Sequence, residues 1–231
     1  MKNHTYYTAV GNMRRISNGP GKVYPVIVIN QKEYPVDPQE MTVWTALCWR
    51  LLDEQQLANK YASFSASSSY TQRTLESCIA RLETRGLIVS GSGGTDFDAL
   101  YDLLSGLYVV PLSRSPMLRL GACAKLLLQG VPFSKAKVLL RPEPKLSNER
   151  EAQVMQLSRQ ALLSTAELIK CVEVGVTDIS TDEKLLEALY ADDDSTCDNL
   201  PYLMQNAASK VPVTMAVANL YLRKQIIFER L

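Results

Sequence analysis

The sequence predicts an α+β fold, mainly α, in three parts: an N-terminal β hairpin (1–36), a unit of three helices, a fourth short one and two apolar strands (37–111), and an all-α region (112–231). Three observations point there. β-branched and turn residues crowd the first 36 positions, apolar side chains recur at helical spacing from Asp37 onward, and after Pro111 the strand signals give way to helical ones. With 46% hydrophobic and 21% charged residues, the 231-residue chain can fill one large core or two smaller ones, so disorder is not expected.

Tyr6–Val10 is β-prone, a turn at Asn18–Gly21 leads into the β-branched run Val23–Ile29, and Asn30–Lys32 reverses the chain so that Glu33–Val36 pairs back. Asp37 and Pro38 open a helix that runs to about Leu52, with Val43, Ala46, Leu47 and Leu51 at helical spacing and Trp44 as an anchor. A second helix covers Glu54–Tyr61 with Leu57 and Ala58 inward, and the serine-rich stretch Ser63–Ser69 reads as a loop. A third helix, Tyr70–Arg85, places Leu75, Ile79 and Leu82 on one face and stops at Gly86. Leu87–Ser90 then reads as a strand, Gly91–Gly94 as a turn, Phe97–Leu104 as a short helix and Leu107–Leu112 as the return strand.

Beyond Pro111, helices are expected over 115–129, 148–175, 181–190, 197–209 and 212–229, with Gly130–Pro144 as a connection. Asn148 with Glu151, and Ser180 with Glu183, have capping-box spacing. Val154, Leu157, Ala161, Leu168 and Val172 form a seam that wants a partner, either in the same chain or across a two-fold dimer.

Several functional classes are disfavoured. The polar start Met1–Thr8 and the lack of any apolar run of about 20 residues predict a soluble, cytoplasmic chain with no membrane partner. Five scattered cysteines (Cys48, Cys78, Cys123, Cys171, Cys197) and a single histidine, His4, encode neither a disulfide framework nor a zinc site. No phosphate loop, nucleophile elbow or metal-spaced histidine set is present, so neither catalysis nor a cofactor is expected. Asp192-Asp193-Asp194 lacks the glycine and glutamate of a calcium loop and reads as a solvated turn.

The net charge of +1 hides a marked unevenness: +4 over 1–36, −4 over 37–111, +6 over 112–145, −8 over 146–200 and +3 over 201–231. Two positive blocks flank the central unit, as a face meeting phosphate would require.

The order helix, helix, loop, third helix, glycine, apolar strand, turn, strand, together with Thr74-Leu75, Ile79, Leu82-Glu83, Arg85-Gly86-Leu87-Ile88 and the preceding Leu57-Ala58, resembles the winged helix-turn-helix domains of bacterial transcriptional regulators over about 75 residues. The resemblance implies that residues 37–111 bind double-stranded DNA and that helix 70–85 reads the major groove. On chemistry, Gln72 suits adenine and Arg73 guanine; Ser69, Tyr70, Thr71 and Ser77 suit phosphate or water-mediated contacts, and Lys60 and Arg81 suit phosphates. Two departures stand out. The serine-rich loop is longer than the usual turn, and the wing tip carries Gly93, Gly94, Asp96, Asp98 and Asp102, whose charges a phosphate backbone would repel. Backbone contacts are then expected from Arg14, Arg15 and Lys22 or from the basic 112–145 block.

The leading expectation is a homodimeric transcriptional regulator whose C-terminal helices supply the dimer contact and a pocket for a small-molecule or protein effector. The alternatives are a plasmid- or phage-type replication initiator or accessory protein, which also resembles a winged-helix protein with a second domain, and a winged helix used for protein contact alone.

Overall fold

A computed structural model describes residues 3–17, 23–65, 73–112, 146–191 and 194–231, with isolated positions at 124, 127, 128, 132 and 133. The fold is α+β, about half helical, with three small antiparallel sheets. The expected helix at 115–129, the connection 130–144, the loop residues 66–69 and the Asp192-Asp193 part of the acidic run lie wholly or largely outside the described residues.

β1 (His4–Ala9) is the middle strand of the first sheet, between β5 (Leu52–Asp53) and β6 (Ile88–Gly93). β2 (Asn12–Ser17), β3 (Val23–Ile29) and β4 (Lys32–Pro35) form the second sheet, in which Asn30 and Gln31, both at positive φ, make the expected reversal. α1 (Pro38–Leu47), α2 (Glu54–Ser65) and α3 (Leu75–Thr84) precede β6, and α4 (Asp96–Ser105) leads to β7 (Tyr108–Pro111). Then come α5 (Glu149–Gln160), β8 (Leu163–Ser164), α6 (Thr165–Val174), α7 (Asp182–Tyr190), α8 (Leu200–Leu203), a 3-10 turn (Met204–Asn206), α9 (Lys210–Leu222) and β9 (Ile226–Glu229).

Several expectations are corrected. Strand 87–90 and strand 107–112 do not form one wing: β6 pairs with β1, while β7 pairs with β8 and β9. The local reading failed because the partner of β6 lies some 80 residues upstream, beyond any turn signal. The region 112–231 is not all-α. The expected helix 148–175 is two helices: Ala161 leaves the helix in an extended conformation and Ser164 opens a fresh capping box with Glu167. The seam Val154–Val172 is therefore not a continuous coiled-coil stripe. Likewise 212–229 divides into α9 and β9, with Lys224 at positive φ marking the break, and 197–209 shortens to α8 plus the 3-10 turn. The cap of α7 is Thr181, not Ser180.

The chain contains the same unit twice. β1, α1, β5, α2, α3, β6 recurs as β7, α5, β8, α6, α9, β9, and each sheet has its first strand in the middle, between the two-residue strand and the last one. The registers correspond: Tyr6 faces Asp53 and Gly91, and Tyr108 faces Ser164 and Glu229. Residues 37–61 align without a gap on 148–172, but only five of these twenty-five positions are identical: Glu40/Glu151, Val43/Val154, Leu51/Leu162, Leu52/Leu163 and Leu57/Leu168. The last helix ends alike in both copies. Gly86 N–H donates to Glu83 O and Leu87 N–H to Leu82 O; Lys224 N–H donates to Tyr221 O and Gln225 N–H to Leu220 O, at 2.8 and 2.9 Å in each copy.

The copies are joined through buried contacts. Tyr221 of α9 is 2% exposed, and its hydroxyl accepts from Thr8 Oγ1 and Trp49 N–H, both at 2.9 Å. Gly11 N–H donates to Phe228 O at 2.8 Å, and Trp49 Nε1 donates to Ile226 O at 3.2 Å. Burial of one continuous set of apolar side chains across both copies is the main cohesive term.

Candidate nucleic-acid interface

α3 is built to turn one side outward. Thr74 caps it, accepting from Ser77 N–H at 3.3 Å; Leu75, Cys78, Ile79 and Leu82 are buried, and Glu76, Ser77, Ala80, Arg81 and Thr84 are exposed. Spacings of three and four residues put the buried set on one face, packed against α1 and β6.

Two acidic residues at the start of α1 hold the arginines around that face. Asp37 accepts from the N–H groups of Gln39 and Glu40, both at 2.9 Å, and also pairs with the Arg73 guanidinium. Burial opposes ionisation of Asp37, but the bonds from Glu40 N–H and Arg73 outweigh it and hold the carboxyl below its ordinary range. Glu40, only 1% exposed, closes the capping box by accepting from Asp37 N–H at 3.1 Å; it also takes Arg81 Nε at 2.6 Å and Arg85 at 3.0 Å. Arg85 further donates to Pro35 O at the end of β4.

A guanidinium has five N–H donors, and Arg81 gives Glu40 only its Nε, so both terminal amino groups stay available on the exposed side. That is the pair of groups that can reach the acceptors of a guanine or a phosphate. Arg73 instead gives Asp37 a terminal amino group, and its backbone is fixed by its own N–H donating to Gln39 Oε1 at 3.2 Å and its carbonyl accepting from the Tyr61 hydroxyl at 3.0 Å. Burial pushes that hydroxyl up to about 12.

Of the eight residues expected to contact DNA, Arg73, Ser77 and Arg81 come together on this face, while Ser69, Tyr70, Thr71 and Gln72 lie outside the described residues. Lys60 is half-buried on α2, and its carbonyl accepts from Ser63 Oγ at 2.7 Å. Sequence reasoning missed Asp37, Glu40 and Arg85 as members of the set. The signal was present: Asp37 and Glu40 have capping-box spacing, and a capping glutamate that becomes buried needs a cation.

The second copy repeats the scaffold but not the face. Glu151, 0% exposed, takes Arg223 at 2.9 Å, just as Glu40 takes Arg85. Where α3 and the two residues before it offer Arg73, Ser77, Arg81 and Thr84, the equivalent positions in α9 hold Val211, Met215, Asn219 and Leu222. Three of those four are exposed apolar side chains.

The acidic stretch after β6 belongs to α4, which lies against β6. A Cβ on Gly91 would stand 2.1 Å from Leu103 N and one on Gly93 2.5 Å from Ala99 N, so β6 touches the α4 backbone. Ser92 N–H donates to Asp102 at 2.8 Å, and Asp96 is engaged by His4 at 2.7 Å and Tyr6 at 3.0 Å. An open cleft of about 520 Å³ lies beside this point, lined by residues 3–6, Asp53, Glu54, Gln55, Ala58 and Asp96; none of its lining belongs to the C-terminal half. Among the described residues no group of three or more His, Cys, Asp or Glu could hold a metal ion, and no helix is long and apolar enough to cross a membrane. Compared with protein-family models, curated proteins and solved structures, the chain matches none of them.

Proposed function

We propose that the protein is a sequence-specific binder of double-stranded DNA, of helix-turn-helix type, that enters the major groove with α3. The observation that carries this reading is the outer face of α3, where Arg73 and Arg81 are held in position by Asp37 and Glu40 while keeping donors free, beside exposed Ser77 and Thr84. Pre-set arginines lose less rotamer entropy on meeting a base edge than free ones do.

The duplication favours the replication-initiator reading over a homodimeric regulator. Two equivalent units in one chain match the outline of a winged-helix protein with a second domain, and a chain with two units does not need a second copy to place two bodies on DNA. The apolar outer face of α9 confines base reading by helix to the first unit.

The test is selection of genomic fragments by the purified protein at about 150 mM salt, followed by salt titration and stoichiometry on the best fragment. The expected result is one short enriched site, affinity that falls steeply with salt, and one chain per site. Two chains on an inverted repeat would return the reading to a homodimeric regulator, and no salt-dependent DNA binding at all would overturn it in favour of protein contact.

A further inference from the structure

We infer that the β2–β3 hairpin is an arm that grips phosphates on both walls of the minor groove, beside the major groove entered by α3. This rests on the DNA-binding reading above and adds a contact to it. β2 is the edge strand of its sheet, paired with β3 on one side only among the described residues. Arg14 and Arg15 are consecutive and both exposed, so their side chains leave opposite faces of the strand. Neither has a partner among the described residues, whereas Arg73, Arg81 and Arg85 around α3 each sit on a carboxylate.

The arm also lies in the right place. Arg14 is opposite Val26, Val26 is opposite Pro35, and the carbonyl of Pro35 accepts from Arg85 at the end of α3. With strands about 4.8 Å apart, the Arg14 backbone is roughly 10 Å from the strand that α3 touches. The minor groove, about 6 Å wide, is bounded by a phosphate backbone on each side. A strand edge with one guanidinium on each face meets one wall with each. The acidic stretch beyond β6 cannot serve this purpose: it is part of α4, which Asp102 and Asp96 tie to β6 and β1.

The experiment is salt titration of the full chain on its selected duplex, comparing wild type with R14A/R15A and R14K/R15K. Each phosphate contact contributes about 0.9 to the slope of log affinity against log salt, so the alanine pair is expected to flatten the slope by about 2 without changing base preference. The lysine pair should retain the slope, and thermal melting should match wild type for both, since these side chains are exposed. A wild-type slope in R14A/R15A overturns the arm while leaving DNA binding by α3 intact. Absence of salt-dependent binding by the wild-type chain overturns both.

Discussion

Replacing Glu40 with glutamine tests the anchoring of α3 most directly. The glutamate is buried, and its two oxygens serve Arg81, Arg85 and the N–H of Asp37. Glutamine has the same shape but one acceptor oxygen and a neutral NH2 that must face a donor. The Arg81 side chain is 52% exposed and turns to water readily; Arg85, 27% exposed, does so less easily. A buried charge-assisted bond is worth about 1.5–3 kcal/mol, and counting only the Arg85 side of the site gives a cost of about 2 kcal/mol. For a chain of this length that is a fall in Tm of about 4–8 °C. Glu151 serves one arginine, Arg223, together with Ser147 N–H, so by the same count Glu151→Gln should cost about as much. Calorimetry or circular dichroism at neutral pH reads both variants. A Glu40→Gln melt within about 1 °C of wild type would refute the argument that this carboxylate organises the outer face of α3.

The remaining predictions concern the interface, the joint between the copies and the acid limb of stability. Arg73→Ala should weaken binding to the selected duplex by about 1–3 kcal/mol and relax one base preference, read by competition titration; unchanged preference would move the reading surface elsewhere. Tyr221→Phe strips the partner from Trp49 N–H in a buried place, while Thr8 Oγ1 keeps Arg50 O, so urea unfolding should show a loss of about 1–3 kcal/mol, and a neutral result would mean that the hydroxyl does not join the copies. Gly91→Ala drives a Cβ into the α4 backbone at Leu103, and a loss of more than about 2 kcal/mol is expected; wild-type stability would show that β6 does not lie on α4. Asp37 is depressed by Glu40 N–H and Arg73 against the opposing effect of burial, and the Lys184 bond brings Asp178 down to about 2. A carboxyl with a lowered folded pKa stabilises above its unfolded value near 3.8 and loses that contribution as pH falls through the folded value, towards 2 for Asp178. Tm should therefore decline below pH 3.8, and less steeply in Asp37→Asn; parallel acid limbs would exclude Asp37 as a contributor.

Local features were legible in the sequence because their causes are local. Asp37 and Pro38 start α1, Gly86 ends the α3 turn, and Leu75, Ile79 and Leu82 mark the inner face of α3; all are decided within a few residues. The sheets were not legible, since β1 meets β6 across more than eighty residues and alternation alone names no partner. Periodicity also misled where it continued through a break. The apolar spacing runs on past Ala161, although Leu163–Ser164 is a strand whose neighbour, β7, lies some fifty residues upstream. The repeat was hidden because identity survives at only five of the twenty-five positions aligned without a gap, while burial is retained where the residues differ: Trp44 and Met155, Ala46 and Leu157, Cys78 and Ala216 are all buried. The Glu–Arg anchor was only half legible, because capping-box spacing marks Glu40 while pairing it with Arg85 requires the α1–α3 packing to be known.

Why the copies diverged on one side and not the other follows from what each side touches. Inward positions answer to a shared packing problem, and a buried glutamate that loses its arginine is costly, so Glu40–Arg85 and Glu151–Arg223 persist together. Outward positions answer to the surroundings. At the place where α3 has Glu83, half-buried and accepting from Ser90 Oγ at 2.6 Å, α9 has Tyr221, inserted into the first copy between Thr8, Leu47 and Trp49. One side of α9 is thus given to its own core and another to its neighbour, which leaves a narrow apolar strip of Val211, Pro212, Met215 and Leu222 exposed. A helix used on two sides as a brace has no broad polar face left to offer a base pair. By this argument the second copy fixes the first, and grafting Arg, Ser, Arg and Thr onto positions 211, 215, 219 and 222 should not create a second DNA site. Titration of that quadruple variant with its selected duplex should still end at the wild-type stoichiometry; a second equivalent of DNA bound would show that α9 is free to read after all.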